Sequence, residues 1–347
     1  MSRLPLVLAG ALLAAACSSS TGPTPPPIEA PPKITCPAAP TIQLTANVTS
    51  VLITYASPTT IDGKPPVTTA CTPPSGSSFG VGTTSVSCTA TDALRQSSSC
   101  GFVITVLAPV PPPTLAATSF FAFGDSLTAG DDGRNSPSDP FGRFLPTVQL
   151  PAAQTYPGVL LQSLIDRYQV QSPSVRNQGA SGEAVTDPGT ISRFDGLASS
   201  RQYQAVLIME GTNDLHKAHE APDAAIKEGI LGSAAAGLRQ MVVDAKRFGL
   251  RPFLATIPPM NPAGSRGSVY GADLVSGFND RIASIAAAEH ITLVDVHQAF
   301  GANLGLLGSD GVHPNPSGYA TIAGAFFEAI ENALEIKTSS ASSPRRR

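Results

Sequence analysis

From residue 117 onward, short apolar runs alternate with longer stretches in which apolar residues recur every three or four positions. The short runs predict strands, and the longer periodic stretches predict helices. The predicted strands cover residues 119–123, 174–177, 205–209, 252–257 and 292–296, and the predicted helices cover 156–168, 224–248, 272–290 and 317–334. This alternation predicts an α/β domain whose parallel sheet is covered by helices on both faces. Active groups should then lie at the carboxyl ends of the strands.

Residues 33–108 follow a different pattern, in which short β-rich runs are separated by Pro, Gly and Ser. The predicted strands lie at 41–50, 51–56, 85–91 and 102–106. Repeated short strands joined by turns predict a small all-β sandwich. In the last two strands every second residue shares one apolar face, namely Val86, Cys88 and Ala90 on one strand and Cys100, Phe102, Ile104 and Val106 on the next. The cysteines therefore belong to the predicted core face.

Three further segments lack a pattern that could build a core. Residues 17–32 are rich in Ser, Thr and Pro, and we interpret them as a flexible tether. Residues 109–116 form a Pro-rich linker between two folding units. Residues 338–347 end in three arginines after a Ser-rich run, and we predict a disordered tail. The 347 residues thus divide into a β domain at 33–108 and an α/β domain at 117–337.

Residues 1–16 carry one positive charge, at Arg3, and then an apolar run that ends in small residues directly before Cys17. This arrangement is typical of a cleaved export signal, and the run is too short to span a bilayer. Small residues before a cysteine resemble a bacterial lipoprotein cleavage site. That resemblance implies that Cys17 becomes a lipid-bearing N-terminus, anchored to a membrane of the bacterial cell envelope. The alternative is an ordinary cleaved signal followed by a cysteine without a special role.

Cysteine usage also favours an exported protein. Of the 5 cysteines, all except Cys17 lie in the predicted β domain, at Cys36, Cys71, Cys88 and Cys100. An even number in one small exported domain predicts two disulfides, and sequence alone leaves three pairings open. No Cys-x-x-Cys pair occurs, so we predict neither a metal site nor a cofactor.

The composition argues against nucleic acid as a partner. Lys and Arg number 22 against 25 Asp and Glu, and a net charge of −3 provides no basic field for phosphates. Trp is absent, and aromatic residues make up only 6% of the chain, so stacking platforms for single strands are not expected either.

The sequence at 71–84, 86–92 and 100–103 resembles a hyalin repeat, and the resemblance covers about residues 33–108. It implies an immunoglobulin-like module used in extracellular adhesion or as a spacer, which could bind a cell-surface glycan or protein. Residues 76–80 also fit the Gly-x-Ser-x-Gly elbow of hydrolases. Because such an elbow must link a strand to a helix and no helical pattern follows, we predict no catalytic serine there.

Polar residues directly follow three of the predicted α/β strands. They are Gly124-Asp125-Ser126, the Asn-Gln-Gly-Ala-Ser-Gly run at 177–182 and the Gly-Thr-Asn-Asp run at 211–214. A fourth group, from Asp310 to His313, precedes the last predicted helix. A hydrolytic serine needs an imidazole to take its proton and a carboxylate to hold that imidazole in one tautomer. Ser126, His313 and Asp310 supply these three groups.

In this order, the four groups resemble the SGNH or GDSL family of hydrolases over about residues 117–337. The resemblance implies a three-layer α/β/α flavodoxin-like fold and an ester substrate. It also implies that Ser126 is the nucleophile, that His313 is the general base and then acid, and that Asp310 orients His313. The implied oxyanion hole consists of the Ser126 and Gly179 backbone N–H groups and the Asn213 side-chain amide.

Several neighbouring residues have a structural interpretation as well. Asp125 suits a helix cap, and Asp214 suits a hydrogen-bond acceptor that fixes a loop. His216 and His219 have the spacing of a metal pair, but without a third ligand we expect a solvated face or a contact with substrate at the rim. The long loop at 131–155 lies beside Ser126, so we interpret it as a substrate-selecting loop, the alternative being an insertion without a role.

Together these features predict an exported, lipid-anchored serine esterase that hydrolyses carboxylic esters through an acyl-enzyme. The same site could instead catalyse acyl transfer to another hydroxyl or the deacetylation of a carbohydrate. A different class of function is also open, in which the protein is an adhesive or glycan-binding surface lipoprotein with a catalytically silent α/β domain.

Overall fold

The computed structural model of the protein describes residues 29–134 and 148–336. The predicted signal at 1–16, Cys17, most of the tether and the tail at 338–347 lie outside these residues. The chain forms two compact units with a boundary between Pro111 and Pro112, inside the segment predicted as a linker. In the described part of the chain, no helix is both long and apolar enough to cross a membrane.

The first unit is built from eight strands: β1 (Lys33–Thr35), β2 (Thr41–Gln43), β3 (Ser50–Ile53), β4 (Thr59–Ile61), β5 (Thr68–Thr72), β6 (Ser77–Gly80), β7 (Gly82–Thr91) and β8 (Ser97–Leu107). Four of them form a sheet in the order β2-β8-β7-β5, while β1 pairs with β4 and β3 pairs with β6. The strand predicted at 41–50 is shorter than expected, because the chain turns at Asn47, whose φ of 65° no strand adopts.

Alternate residues of β7 and β8 form the core of this unit, as predicted. Val86 and Cys88 are buried, as are Phe102, Ile104 and Val106. Phe79 and Ile53, from β6 and β3, pack against this face from the opposite side. The two layers make an all-β sandwich, which confirms the predicted fold class. Residues 77–80 form strand β6, so the Gly-x-Ser-x-Gly run does not link a strand to a helix.

Two disulfides join the four cysteines of the β unit, as predicted. Cys36 pairs with Cys100, and Cys71 pairs with Cys88. Cys71 lies directly opposite Cys88 in the β5–β7 ladder, with 4.0 Å between their Cα atoms. The sequence separations are 64 and 17 residues, so the first bridge constrains the unfolded chain more strongly.

The second unit contains a parallel sheet of five strands: β10 (Ser119–Gly124), β11 (Ser174–Gly179), β12 (Ala205–Met209), β13 (Arg251–Ala255) and β14 (Thr292–Val294). Their order is β11-β10-β12-β13-β14. Two short strands, β9 (Thr114–Leu115) and β15 (Glu335–Ile336), pair with each other near the ends of the unit.

Eight helices accompany the sheet: α1 (Ser126–Ala129), α2 (Tyr156–Arg167), α3 (Thr190–Ala198), α4 (Thr212–His219), α5 (Ala224–Arg247), α6 (Val275–Glu289), α7 (Val296–Phe300) and α8 (Pro316–Leu334). Side chains of α2, α7 and α8 pack on one face of the sheet, and those of α3, α4, α5 and α6 pack on the other. The predicted three-layer α/β/α fold is confirmed.

The central strand β12 shows how the sequence fixes these layers. All five of its residues are buried, and they alternate between the two cores, with Leu207 on one side and Val206 and Ile208 on the other. Burial of one such side chain is worth about 1.5–3 kcal/mol, so a purely apolar run is stable only between two helical layers.

Two parts of the α/β pattern differ from the prediction. The strand predicted at 292–296 ends at Val294, because the Asp295 side chain accepts the Gln298 N–H and starts α7. Helix α4 was not among the predicted helices, since its sequence from Thr212 to His219 is mostly polar.

Candidate active site

The carboxyl ends of three adjacent strands meet at one point of the sheet. Gly124 pairs with Gly179 on one side and with Met209 on the other. A Cβ atom at Gly124 would lie 2.0 Å from the Met209 carbonyl oxygen, so only glycine fits between the strands. The polar groups that follow each strand therefore lie together, as the sequence predicted.

Ser126 is the first residue of α1 and follows β10 after a single residue. That residue, Asp125, caps α1 by accepting the Leu127 N–H at 2.9 Å. Its other oxygen accepts the Thr212 N–H at 3.3 Å, which ties the Ser126 turn to the start of α4. The predicted capping role of Asp125 is confirmed. Ser126 itself is 5% exposed.

Ser126, His313 and Asp310 form a continuous chain of hydrogen bonds. The His313 Nε2 atom lies 2.9 Å from Ser126 Oγ, although 187 residues separate the two positions. The His313 Nδ1 atom lies 2.6 Å from Asp310 Oδ2. Asp310 Oδ1 accepts the Val312 and His313 backbone N–H groups, both at 2.9 Å. A carboxylate on Nδ1 leaves Nε2 free to accept the serine proton.

The electrostatics of the two aspartates differ. Burial raises the pKa of Asp310, but hydrogen bonding and charge attraction from His313, together with two backbone N–H groups, outweigh it and leave the pKa below its usual value. Burial raises the pKa of Asp125 to about 6, against the opposing hydrogen bonds from Leu127 and Thr212 and the charge of His313. Asp310 is therefore the carboxylate that stays ionised beside the imidazole.

Asn213 lies in the first turn of α4 and directs its side chain towards the segment after β11. Its Nδ2 atom donates to the Glu183 carbonyl oxygen at 2.7 Å. An amide nitrogen carries two hydrogens, so one remains for a ligand. Asp214 accepts the backbone N–H groups of Val185 and Thr186 at 2.7 and 3.1 Å, which fixes the same segment, as predicted.

Gly179 does not offer the free amide that the resemblance implied. Its N–H donates to Asn177 Oδ1 at 2.9 Å. A Cβ atom at Gly179 would lie 2.1 Å from the Ala129 nitrogen, so packing beneath α1 explains the glycine. The prediction of Gly179 as a donor is corrected on this ground.

Gly182, three residues later, has the properties that Gly179 lacks. Its φ is +83°, and a Cβ atom placed on it would meet nothing within 4 Å. Within residues 29–134 and 148–336, its N–H makes no hydrogen bond. The neighbouring Ser181 Oγ donates to Asp131, whose N–H donates to the Ser126 carbonyl oxygen. On the other side of Gly182, the Glu183 carbonyl oxygen accepts a hydrogen bond from the Asn213 side-chain amide. The neighbours of Gly182 are therefore hydrogen-bonded towards Ser126 on one side and to Asn213 on the other, which are the other two predicted oxyanion donors. The open surroundings of Gly182 were not evident from sequence.

Two charged residues near the site were also missed. Glu210 lies directly after β12 and is 1% exposed. Arg193, on α3, pairs with Glu183 and lies 4.0 Å from the centroid of the Phe123 ring. An acidic residue directly after an apolar strand was the available signal for Glu210, whereas Arg193 has no local signal.

His216 and His219 are on the exposed side of α4. The His216 ring stacks on Tyr270 with 4.4 Å between the ring centroids, and its Nδ1 atom lies 2.7 Å from the Val269 carbonyl oxygen. His219 lies 3.7 Å from Asp273. In the described part of the chain, no three His, Cys, Asp or Glu residues are grouped so that they could hold a metal ion.

The ends of the loop predicted to select substrate are held together. Asp131 forms a β-bridge with Gln149, and the Asp132 N–H donates to the Val148 carbonyl oxygen at 2.7 Å. Residues 135–147, the central part of that loop, lie outside the described residues.

Comparison with known proteins gives two family matches. The model of the GDSL-like lipase/acylhydrolase family matches residues 122–321, and the model of the HYR domain matches residues 29–106. No curated protein matches the chain. The two matched regions fall in the two compact units, one in each.

Several solved structures are similar to the α/β unit. The aryl esterase of M. smegmatis is 20% identical, with a TM-score of 0.49, over 62% of this chain and 99% of that chain. A carbohydrate acetylesterase from Sinorhizobium meliloti is 20% identical, with a TM-score of 0.46, over 62% and 98%. An acetylxylan esterase from Geobacillus stearothermophilus is 23% identical, with a TM-score of 0.48, over 62% and 95%.

Proposed function

Because the chain belongs to the GDSL-like lipase/acylhydrolase family, we propose that it is a serine esterase that cleaves carboxylic esters through an acyl-enzyme. The observation that carries this proposal is the hydrogen-bonded chain from Ser126 Oγ through His313 to Asp310, with distances of 2.9 and 2.6 Å. This is the arrangement that a serine nucleophile needs.

In the first step, Ser126 Oγ attacks the carbonyl carbon of the ester, and His313 Nε2 takes the hydroxyl proton. The Asp310 carboxylate stabilises the resulting imidazolium. The carbonyl oxygen becomes an oxyanion, and three donors can receive it: the Ser126 N–H, the free hydrogen of Asn213 Nδ2 and the Gly182 N–H. Each donor of this kind is worth about 10²- to 10³-fold in rate.

In the second step, the bond to the alcohol oxygen breaks as His313 returns its proton to that oxygen. The alcohol leaves, and the acyl group remains on Ser126. Water then gives a proton to His313 and attacks the acyl carbon through the same oxyanion geometry, which releases the acid and restores the serine. Every proton moves through the one imidazole, so no cofactor enters the scheme.

Two other reactions would use the same residues. An acceptor hydroxyl in place of water in the second step would make the protein an O-acyltransferase, and an acetylated sugar in place of a simple ester would make it a carbohydrate deacetylase. Product analysis with and without a competing alcohol separates hydrolysis from transfer.

A catalytically silent glycan-binding protein is the third possibility, and a fluorophosphonate that fails to label the folded protein would favour it.

The Ser126→Ala variant tests the main proposal. It removes the nucleophile but leaves the imidazole in place, so we expect turnover of a chromogenic short-chain ester to fall by about a millionfold, to background. The melting temperature should hardly change, because among residues 29–134 and 148–336 the serine Oγ has one hydrogen-bond partner, His313. Ser199→Ala, at an exposed position after α3, is the matched control. Full turnover by Ser126→Ala would contradict the assignment.

We further propose that the esterase is exported and held to the bacterial cell envelope by a lipid on Cys17. The basis is the sequence at 1–17, in which an apolar run and small residues precede the cysteine. The hyalin-type unit would then act as a spacer or as an adhesive module for a surface glycan or protein. Cells fed a labelled fatty acid should label the wild-type protein but not Cys17→Ser, and equal labelling of both would exclude Cys17 as the attachment point.

A further inference from the structure

Glu210 is a buried acidic residue near the active site that the esterase scheme does not use. It follows the last residue of β12 and is 1% exposed. Within residues 29–134 and 148–336, neither of its carboxyl oxygens has a hydrogen-bond partner. Its neighbours Asp125 and Asp214 both accept backbone N–H groups. Glu210 thus lacks the compensation that normally accompanies a buried carboxylate.

The charged groups around Glu210 disfavour its ionised form. Burial is the main cause that raises its pKa well above the usual value, and the negative charges of Asp125, Glu183 and Asp214 raise it further. Arg193 opposes the rise, but it is already paired with Glu183 and donates to the Gln178 carbonyl oxygen. An ionised Glu210 would add a buried, unpaired anion to these carboxylates, so the neutral acid is the stable form of Glu210.

The position of Glu210 connects it to the oxyanion donors. Only Gly211 and Thr212 separate it from Asn213. Gly211 has a φ of +123°, and a Cβ atom on it would lie 2.7 Å from the Phe278 ring, so this turn is packed tightly. The Thr212 N–H donates to Asp125, the residue directly before Ser126. Glu210 therefore begins the turn that carries one donor, and its charge interacts with the carboxyl that precedes another.

We propose that Glu210 is a positioning residue for the oxyanion hole and that it acts only in its neutral, protonated form. The inference rests on the proposed esterase function. A neutral carboxyl occupies this buried position without adding charge. The Glu210 and Asn213 Cα atoms are at most about 11 Å apart, so an ionised carboxyl would place a negative charge on the order of 10 Å from the Asn213 amide. It would repel both the oxyanion and the Asp125 carboxyl, and at an effective dielectric constant of about 20 the rate should fall about tenfold.

The test compares the wild type with Glu210→Gln, which keeps the size and polarity of the side chain but cannot ionise. We expect similar kcat/KM values at weakly acidic pH. As the pH rises, the wild type should lose activity while E210Q keeps it, until the two differ by about tenfold. Glu228→Gln is the matched control, because Glu228 is 63% exposed and pairs with Arg281 at the surface. It should follow the wild-type profile.

Either of two results would overturn the proposal: superimposable pH profiles of the wild type and E210Q, or a loss of activity in E210Q at every pH. If E210Q does not fold, infrared spectra of wild-type protein with carbon-13-labelled glutamate replace it. They should show the C=O stretch of a neutral buried glutamic acid at neutral pH, and its absence refutes the proposal.

A failure of the esterase function can be recognised separately. Phosphonylation of Ser126 by a fluorophosphonate also develops negative charge at the oxyanion hole but needs no ester substrate. In one outcome, the wild type turns over no ester while E210Q still reacts with the fluorophosphonate faster than the wild type does at alkaline pH. That result would refute the esterase proposal and keep the Glu210 inference.

Discussion

The two units of this chain reach stability by different means. The core of the β unit contains eight buried residues among those described, one of them the bridged Cys88. The two faces of the parallel sheet contain 25 and 24 buried residues, and no disulfide joins them in the part of the chain that the structure describes. A small domain buries too little apolar surface to do without covalent bridges, whereas a large one can do without them. The unit that carries the chemistry should thus be independent of redox conditions.

Removal of both disulfides should give the largest effect and should separate the two units. In the chain-entropy account, the Cys36–Cys100 bridge contributes about 4 kcal/mol and the Cys71–Cys88 bridge about 3 kcal/mol to the free energy of unfolding. Their sum matches the whole stability of a small domain. With all four cysteines changed to alanine, calorimetry should lose the transition of the β unit, while ester turnover should persist.

Cys17→Ser, which removes the cysteine outside the β unit, is the control and should keep both transitions. An inactive four-alanine variant would mean that the catalytic unit depends on the β unit, and the contrast between them would fail.

The second prediction is the converse, a loss of chemistry without a loss of structure. In Asp310→Asn, the Oδ1 atom can still accept the Val312 and His313 N–H groups, but an NH₂ group now faces His313 Nδ1. The imidazole must then carry its proton on Nε2, where it cannot accept one from Ser126. We expect kcat to fall by about 10⁴-fold, with the melting temperatures of both units nearly retained. Asp280→Asn, at an exposed position of α6, is the control and should leave kcat unchanged.

The sequence predicts the fold of each unit better than it predicts the contacts between the segments that follow the strands. Strand β12 was predicted with its observed bounds, because five apolar residues in a row leave no alternative to a doubly covered strand. The meeting of Ser126 with His313 was expected on other grounds, namely the need of a hydrolytic serine for an imidazole and the family resemblance, and the two side chains do lie 2.9 Å apart.

What the sequence could not predict depends on contacts between distant segments. Gly179 and Gly182 are equivalent by local pattern; the hydrogen bond from the Gly179 N–H to Asn177 Oδ1 and the packing of Gly179 against Ala129 show that Gly182 is the one with open surroundings. The disulfide pairing depends on strand register, because Cys88 faces Cys71 and Cys100 on either side. Helix α4 was missed because Asp214 and Lys217 satisfy their charges with residues after β11, which a polar sequence does not reveal.

The third and smallest effect concerns pH, and it applies to the α/β unit. The buried carboxyls of Asp125, Glu210 and Asp214 all have a raised pKa there, with burial as the main cause. For Asp125 the value rises from 3.8 to about 6. Below about pH 4 this group is protonated in both the folded and the unfolded chain and does not change the free energy of unfolding.

As the pH rises from about 4 to about 6, the unfolded chain ionises Asp125 first, so the free energy of unfolding falls. Because one pKa unit corresponds to about 1.4 kcal/mol, the full loss from Asp125 is about 3 kcal/mol, and Glu210 extends the fall to higher pH. Asp310 does not contribute in this window, since its lowered pKa leaves it ionised in both states. The melting temperature of the α/β unit should therefore decrease from weakly acidic to neutral pH.

Asp125→Asn isolates this effect, because asparagine can still cap α1 but cannot ionise. The melting temperature of its α/β unit should change less with pH than that of the wild type, by an amount that corresponds to about 3 kcal/mol. Parallel curves for the two proteins would show that Asp125 is not the group that titrates. Any pH dependence of the α/β unit would then have to come from another group. A shallower curve for the variant, with the remaining fall due to Glu210 and Asp214, would instead show that the buried Asp125 acid lowers the stability of the unit containing the active site, while the β unit relies on its bridges.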